Sequence, residues 1–378
     1  MRYLIKLKPL SPFFFGTEKT FGENNENYYA KSMTIPQQTT LLGMLRHEIL
    51  IQKSIKKNDM QYSEKEAEEI KKYIGDSGFN IKNAISTKSN KEQQDFGMIK
   101  NISPVFLIDS NFDCFIKAPF ALEIKPYNFF NSARCFTSIE KKIYLLNGYE
   151  PKYHKYTNCF QKTFNLNNHC NIDIKSNITN NKIKYICFDE IFEVETRVGI
   201  AKDKKESDEK KFFKQDFYNL KNGYLFAFFL ETNDDIENNF NLEDDIVYMG
   251  GDRSSFKMTV ARIENEKLIF SIVSDSIRTK SSGINLLSDA LVTEDIYKYC
   301  DLAWTEIQDF RNITSATNNY KFKKNKTESK YNLLKSGSTL FSNSKDNLDK
   351  IEYQLKNFYC QKIGLNIFNK TFSEEQTL

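Results

Sequence analysis

The residues best suited to chemistry lie in one ten-residue stretch, Tyr248-Met249-Gly250-Gly251-Asp252-Arg253-Ser254-Ser255-Phe256-Lys257. Adjacent glycines let a backbone approach another chain closely, and their N–H groups can converge on phosphate oxygens. Arg253 and Lys257 add the positive charge that phosphate binding needs. That chemistry is grip on a polyanion, not bond cleavage. A plain glycine turn between two strands accounts for the same residues, and the sequence leaves both readings open.

A second stretch, Pro36-Gln37-Gln38-Thr39-Thr40-Leu41-Leu42-Gly43-Met44-Leu45-Arg46, opens a helix. A helix start offers free N–H groups, here beside the hydroxyls of Thr39 and Thr40 and the charge of Arg46. Gly43 costs about 1 kcal/mol relative to Ala inside a helix, so a close approach of partner or backbone is expected to compensate. Phe13 to Phe15, Tyr28 and Tyr29 are able to stack on bases, although aromatic runs more often form core.

Acid–base chemistry has little to work with. The chain has three histidines, of which His47 falls on the first helix and His154 and His169 in irregular polar sequence. No His-x-Glu, HExxH, GxSxG or Walker pattern occurs, so an enzyme is not the expectation. His47 reads as a half-buried helix residue, with a general base as the alternative. Cys159, His169, Cys170 and Cys187 form a zinc tetrahedron only on paper, because structural zinc ligands come in pairs about two to four residues apart. Neither metal nor cofactor is expected.

The elements that must position these residues follow from periodicity. Tyr3, Ile5 and Leu7 alternate along residues 2 to 8 and Pro9 stops the run, which predicts a strand. Leu41, Leu42, Leu45, Ile49 and Leu50 recur at helical spacing, with a threonine as the expected cap. Ser63 with Glu66 is a capping box, and Gly75 closes that second helix. Val105 to Ile108 and Cys114 to Ile116 predict a hairpin. Three further strands are expected at 191–200, 212–220 and 224–231, the last two joined by a tight turn at Asn222-Gly223. The charged connection 201–211 between the first two reads as a solvated tip. Strands at 246–249, 255–263 and 267–273 and a helix at 346–358 complete an α+β chain.

Composition sets the outer bounds. The 378 residues allow about two domains, and 40% apolar residues suffice for a core. A balance of 54 Lys+Arg against 50 Asp+Glu leaves +4, so any nucleic-acid contact must come from a local patch. The longest apolar run, Tyr224 to Leu230, is too short to span a membrane. The N-terminus alternates charge and apolar residues and lacks a signal-peptide core, and the seven scattered cysteines suit a reducing compartment, so a cytoplasmic protein is expected.

Taken in order, these segments resemble one family. Leu7-Lys8-Pro9-Leu10-Ser11-Pro12-Phe13-Phe14-Phe15-Gly16, followed by Pro36 through Arg46 as P-x-x-T-x-x-G-x-x-R, is similar to the opening of the RAMP proteins of CRISPR effector complexes. Thr196-Arg197-Val198-Gly199-Ile200 and Val247 to Arg253, as V-x-x-G-G-x-R, are similar to the third subunit of the type III-B, or Cmr, complex. Phe115 to Glu123, Ser336 to Phe341 and, less well, Ile363-Gly364-Leu365-Asn366 fit further stretches; Tyr153 to Lys184 corresponds to nothing recognisable.

The resemblance implies ferredoxin-like, RRM-like RAMP modules with antiparallel sheets and inserted β-hairpins, divided as residues 1–188 and 189–378. It implies a non-catalytic subunit that caps the 5′ handle of the crRNA against the large polymerase/cyclase-like subunit and a backbone RAMP subunit, in antiviral defence. A metal-independent RAMP endoribonuclease with His47 as base is the alternative. Carried onto this chain, the RNA-binding candidates are Lys31, Thr39, Thr40, Arg46, Arg197, Gly250, Gly251, Arg253, Ser254, Ser255 and Lys257.

Overall fold

The computed structural model describes residues 1–16, 29–54, 63–75, 79, 94–120, 122–124, 133–135, 143–145, 159–166, 185–201, 211–233, 242–250, 253–263, 281–292, 295–310, 313–318, 321–326 and 330–372. His154, His169, Cys170, Gly251, the tip 202–210 and the strand expected at 267–273 lie outside them.

A nine-stranded sheet dominates the molecule. It takes β1 (Arg2–Pro9), β3 (Ile99–Ile102), β4 (Phe106–Ile108), β5 (Asp113–Lys117), β9 (Cys159–Asn165), β10 (Tyr185–Cys187), β13 (Leu225–Thr232), β14 (Asp245–Met249) and β15 (Ser254–Arg262) in the order β10-β9-β5-β4-β13-β1-β15-β14, with β3 also on β13. Every pairing is antiparallel. A three-stranded sheet beside it orders β11 (Phe192–Ala201), β12 (Lys211–Leu220) and β2 (Tyr29–Lys31), the last pairing parallel.

C-terminal strands β24 (Phe368–Phe372), β16 (Ser281–Leu286), β23 (Thr339–Phe341) and β18 (Leu302–Trp304), with β8 (Ile143–Leu145) from the first half of the chain parallel to β18, form a five-stranded sheet, and β17 (Ala290–Leu291), β22 (Tyr331–Leu334) and β19 (Ile307–Phe310) a three-stranded one. Among the described strands two hairpins pair only with themselves: β6 (Leu122–Ile124) with β7 (Ala133–Cys135), and β20 (Ile313–Asn318) with β21 (Lys321–Lys326). The architecture is mixed α+β with mostly antiparallel sheets.

β1 is central because both of its faces are used. Ile5 and Leu7 are fully buried against Phe226, Phe228, Phe256 and Met258, while Leu4 packs on the opposite face with Phe106, Ala227 and Phe229. β13 is buried along nearly its whole length, so it needs strands on both edges and layers on both faces. This is why the Asn222-Gly223 turn does not close the hairpin expected there. Gly223 adopts φ +96°, but the chain leaves β12 to enter another sheet, where β13 pairs with β1, β3 and β4. β1 pairs with β13 and β15 from beyond residue 188, so a division of the chain at 188/189 would cut through the main sheet; one core joins residues from both sides of it. A smaller core of Ile284, Leu340, Leu348, Ile351 and Leu355 belongs to the C-terminal part alone.

Helix α1 (Gln38–Gln52) presents Leu41, Leu42, Met44, Leu45 and Ile49 to the core. Its N-cap is Gln37, not a threonine, and no side chain caps it. Helix α2 (Glu64–Ile74) has the reciprocal Ser63–Glu66 capping box and ends at Gly75, φ +70°. The late helix runs Lys345–Leu355, capped by Ser344. No helix among the described residues is long and apolar enough to cross a membrane.

Candidate nucleic-acid interface

The glycine loop is built inward on one side and outward on the other. Gly250 has φ +82°, and a Cβ there would lie 2.2 Å from the Phe14 carbonyl oxygen, so only glycine fits. Phe14 N–H donates to Ser254 Oγ (3.0 Å), and Ser254 is buried. Gly250 and Ser254 thus hold the loop onto the Phe13–Phe15 segment. Strand alternation then sends Ser255 and Lys257 to the opposite face of β15, and Arg253 is the turn residue immediately before the strand. Arg253 and Lys257 are exposed, Ser255 is half-buried, and β14 sets Tyr248 beside Ser255 on that same face, 60% exposed.

From the other edge, β1 places Lys8 directly opposite Lys257. Like charges facing each other across a ladder repel, and among the described residues no carboxylate pairs with Lys8, Arg253 or Lys257. Arg253 also sits at φ +50°, a left-handed conformation that costs a non-glycine residue about 1 kcal/mol. Local stability accounts for neither feature. An open sheet face with three cations around an exposed tyrosine is suited to a phosphate chain carrying stackable bases.

The Phe13–Phe15 run is core, not a stacking surface. All three rings are buried, and Phe13 packs against Phe15 (centroids 4.8 Å apart) and Phe226 (5.4 Å). Its backbone is a seam: Phe13 exchanges two hydrogen bonds with Tyr218 of β12, Phe15 N–H donates to Ser32 Oγ (2.8 Å), and Met33 N–H to the Phe15 carbonyl (2.9 Å). Through it the glycine loop is fixed to the β11–β12–β2 sheet.

On that sheet Asp216 is the organising group. It is buried and accepts hydrogen bonds from Thr196 Oγ1 (2.6 Å) and Tyr29 OH. Burial pushes its carboxyl up, but those two hydrogen bonds, with the charges of Lys214 and Lys31, outweigh burial and hold it below its ordinary value. The same bond, with burial and the Asp216 charge, pushes Tyr29 up to about 12. Lys31 is exposed beside this network, and Lys214 lies over the Tyr29 ring, 5.1 Å from its centroid. Arg197 falls on the other face, where its guanidinium stacks on Phe217 (4.0 Å) and pairs with Glu195 (2.8 Å). Lys31 and Arg197 are therefore not one patch.

At helix α1 the expected roles reverse. Arg46 is buried, 5.8 Å from the Phe96 ring centroid, because position 46 shares the core face with Leu42 and Ile49. It is a core residue, not a surface contact for RNA. Gly43 is exposed, and among the described residues nothing beyond its own helix lies within 4 Å of a Cβ built on it. Thr39 and Thr40 are half-buried in the first turn, and His47 is exposed one turn beyond Gly43. Cys159 and Cys187 face each other across β9 and β10 with thiols 3.4 Å apart. Among the described residues no group of side chains has a metal site's composition. Sequence reasoning missed Lys8 and Lys214, whose signal is register: each gains meaning only from its cross-strand partner.

These features define an α+β protein of mostly antiparallel sheets with an open basic face, fixed to a hairpin sheet by an aromatic seam. Residues 5–364 match the family model for CRISPR-associated protein (Cas_Cmr3), and the chain belongs to that family. Among solved structures it is similar to a chain in the cryo-EM structure of the Type III-B Cmr-beta bound to cognate target RNA, at 15% identity and TM-score 0.48, covering 98% of this chain and 99% of that one. A chain of the Csm3-Csm4 subcomplex in the type III-A CRISPR-Cas interference complex is similar at 13% identity and TM-score 0.34, covering 90% and 93%. The comparison with curated proteins gives no match.

Proposed function

We propose that this chain is a non-catalytic subunit of a type III-B CRISPR RNA-guided effector complex. It holds the 5′ handle of the crRNA and contacts the large polymerase/cyclase-like subunit and a backbone RAMP subunit, on ferredoxin-like modules. Family membership across residues 5–364 supports the assignment to such a complex. The observation that carries RNA binding is the outward set Lys8, Tyr248, Arg253, Ser255 and Lys257 on one open sheet face, with Lys31 and Lys214 beside Tyr29 as a second patch. Gly250 and Ser254 shape the loop, and Thr39 and Thr40 stand half-buried in the first turn of α1.

The grip is on phosphate, so it is salt-dependent. In a salt titration with handle RNA, exchanging Arg253 and Lys257 for Ala lowers affinity and flattens log K against log salt by about 0.7 per lost contact. An unchanged slope sinks this placement of the site. Incubating the protein with repeat RNA in chelator tests the rest. Intact RNA is expected, and site-specific cleavage that disappears in His47→Ala overturns the non-catalytic reading.

A further inference from the structure

The hairpin β20–β21 took no part in the site above, yet it lies in the acid-free stretch of the chain that holds the most basic residues. From Arg311 to Thr327 the sequence has no Asp or Glu and five basic residues, Arg311, Lys321, Lys323, Lys324 and Lys326. That exceeds the net +4 of the whole protein. The ladder offers no compensation: Asn318, Ala316, Ser315 and Ile313 stand opposite Lys321, Lys323, Lys324 and Lys326. A carboxylate across the ladder would stabilise a lysine, and here every partner is neutral. Neither strand pairs with any other described strand.

Along β21, Lys321 stands two residues from Lys323, and Lys324 two from Lys326. Lysines two residues apart are separated by about 6.6 Å along the strand, comparable with successive phosphates of an extended nucleotide chain. Phe322, with Tyr320 just before the strand, adds aromatic residues of the kind on which bases stack. An acidic protein surface would answer the charge but not the aromatics.

We propose that the β20–β21 ribbon is a second nucleic-acid contact, laid along the backbone of a single-stranded RNA segment and indifferent to its sequence. This rests on the reading of the chain as an RNA-holding subunit. The test uses the full chain with fluorescent single-stranded RNAs of unrelated sequence, titrated with salt. Three proteins are compared: the wild type, a variant with Lys321, Lys323, Lys324 and Lys326 all changed to Gln, and one with all four changed to Arg. The Gln variant is expected to bind at least about tenfold more weakly near 0.1 M salt, equally for every RNA, with a slope reduced by up to about 0.7 per lysine. The Arg variant is expected to bind as the wild type does, which separates charge from damage to the hairpin.

An unchanged slope in the Gln variant, or equal loss in the Arg variant, overturns the ribbon proposal while leaving the first site intact. Unchanged RNA affinity with lost binding to polyglutamate assigns the ribbon to an acidic protein and likewise overturns it. A wild-type chain that binds no RNA sinks the functional reading, and the ribbon proposal with it.

Discussion

The two motifs that pair a glycine with an arginine are mirror cases. In V-x-x-G-G-x-R the glycine turns inward, against the Phe14 carbonyl, and Arg253 stands outside. In P-x-x-T-x-x-G-x-x-R the glycine stands outside and Arg46 is buried beside Phe96. The same two residue types thus do opposite work. At the loop, glycine shapes the structure and arginine stands exposed; at the helix, arginine belongs to the core and glycine is the exposed residue.

The contrast is most exposed at Gly250. An alanine there meets a backbone oxygen and a left-handed φ together, so Gly250→Ala is expected to destabilise by about 3 kcal/mol or more in denaturant unfolding. A loss below about 1 kcal/mol would mean the loop is not anchored on Phe14. Arg46→Ala comes next, at about 2–3 kcal/mol of stability for emptying a buried site, with the salt slope of RNA binding unchanged. A reduced slope with native stability would restore Arg46 to the binding surface.

Arg253→Gly sharpens the comparison by splitting sign. It relieves the left-handed strain, raising stability by about 1 kcal/mol, while RNA affinity falls about tenfold. A residue with only a structural role would not move the two readouts in opposite directions. Gly43→Ala is expected to stabilise the free protein by about 1 kcal/mol, and weaker RNA binding or weaker assembly in the same variant would identify the face that needs the glycine.

The smallest effect concerns acid. The Asp216 carboxyl lies below its ordinary value in the folded protein, so its contribution to stability is present above the unfolded carboxylate pKa and is lost as pH falls through the lowered one. Asp216→Asn should therefore flatten the acid limb of a stability–pH curve, and a variant with the same limb would remove Asp216 from that role.

Much of the frame was legible beforehand because it rests on local rules. The capping box at Ser63 and Glu66, the stop at Gly75, the alternation of β1 and the hairpin of Val105–Ile108 with Cys114–Ile116 all read correctly from neighbours a few residues apart. The errors lie where distant segments compete. Asn222-Gly223 has the signature of a hairpin, but β13 is too apolar on both faces to remain beside β12. Arg46 carries a charge that suggests the surface, but its helical position points to the core. Lys8 and Lys214 carried no local signal at all.

The amino-acid sequence by itself determined the family and the α+β character and singled out the glycine loop as a candidate site, because residue type and short-range spacing carry that information. Tertiary structure alone decided which of those residues face outward. Ladder register set Lys8 against Lys257 and the neutral strand β20 against the lysines of β21, and burial withdrew Arg46, Ser254 and the phenylalanine run from any ligand. The reason is that a side chain's direction is fixed by the element opposite it, often more than two hundred residues away in this chain, as Lys8 is from Lys257.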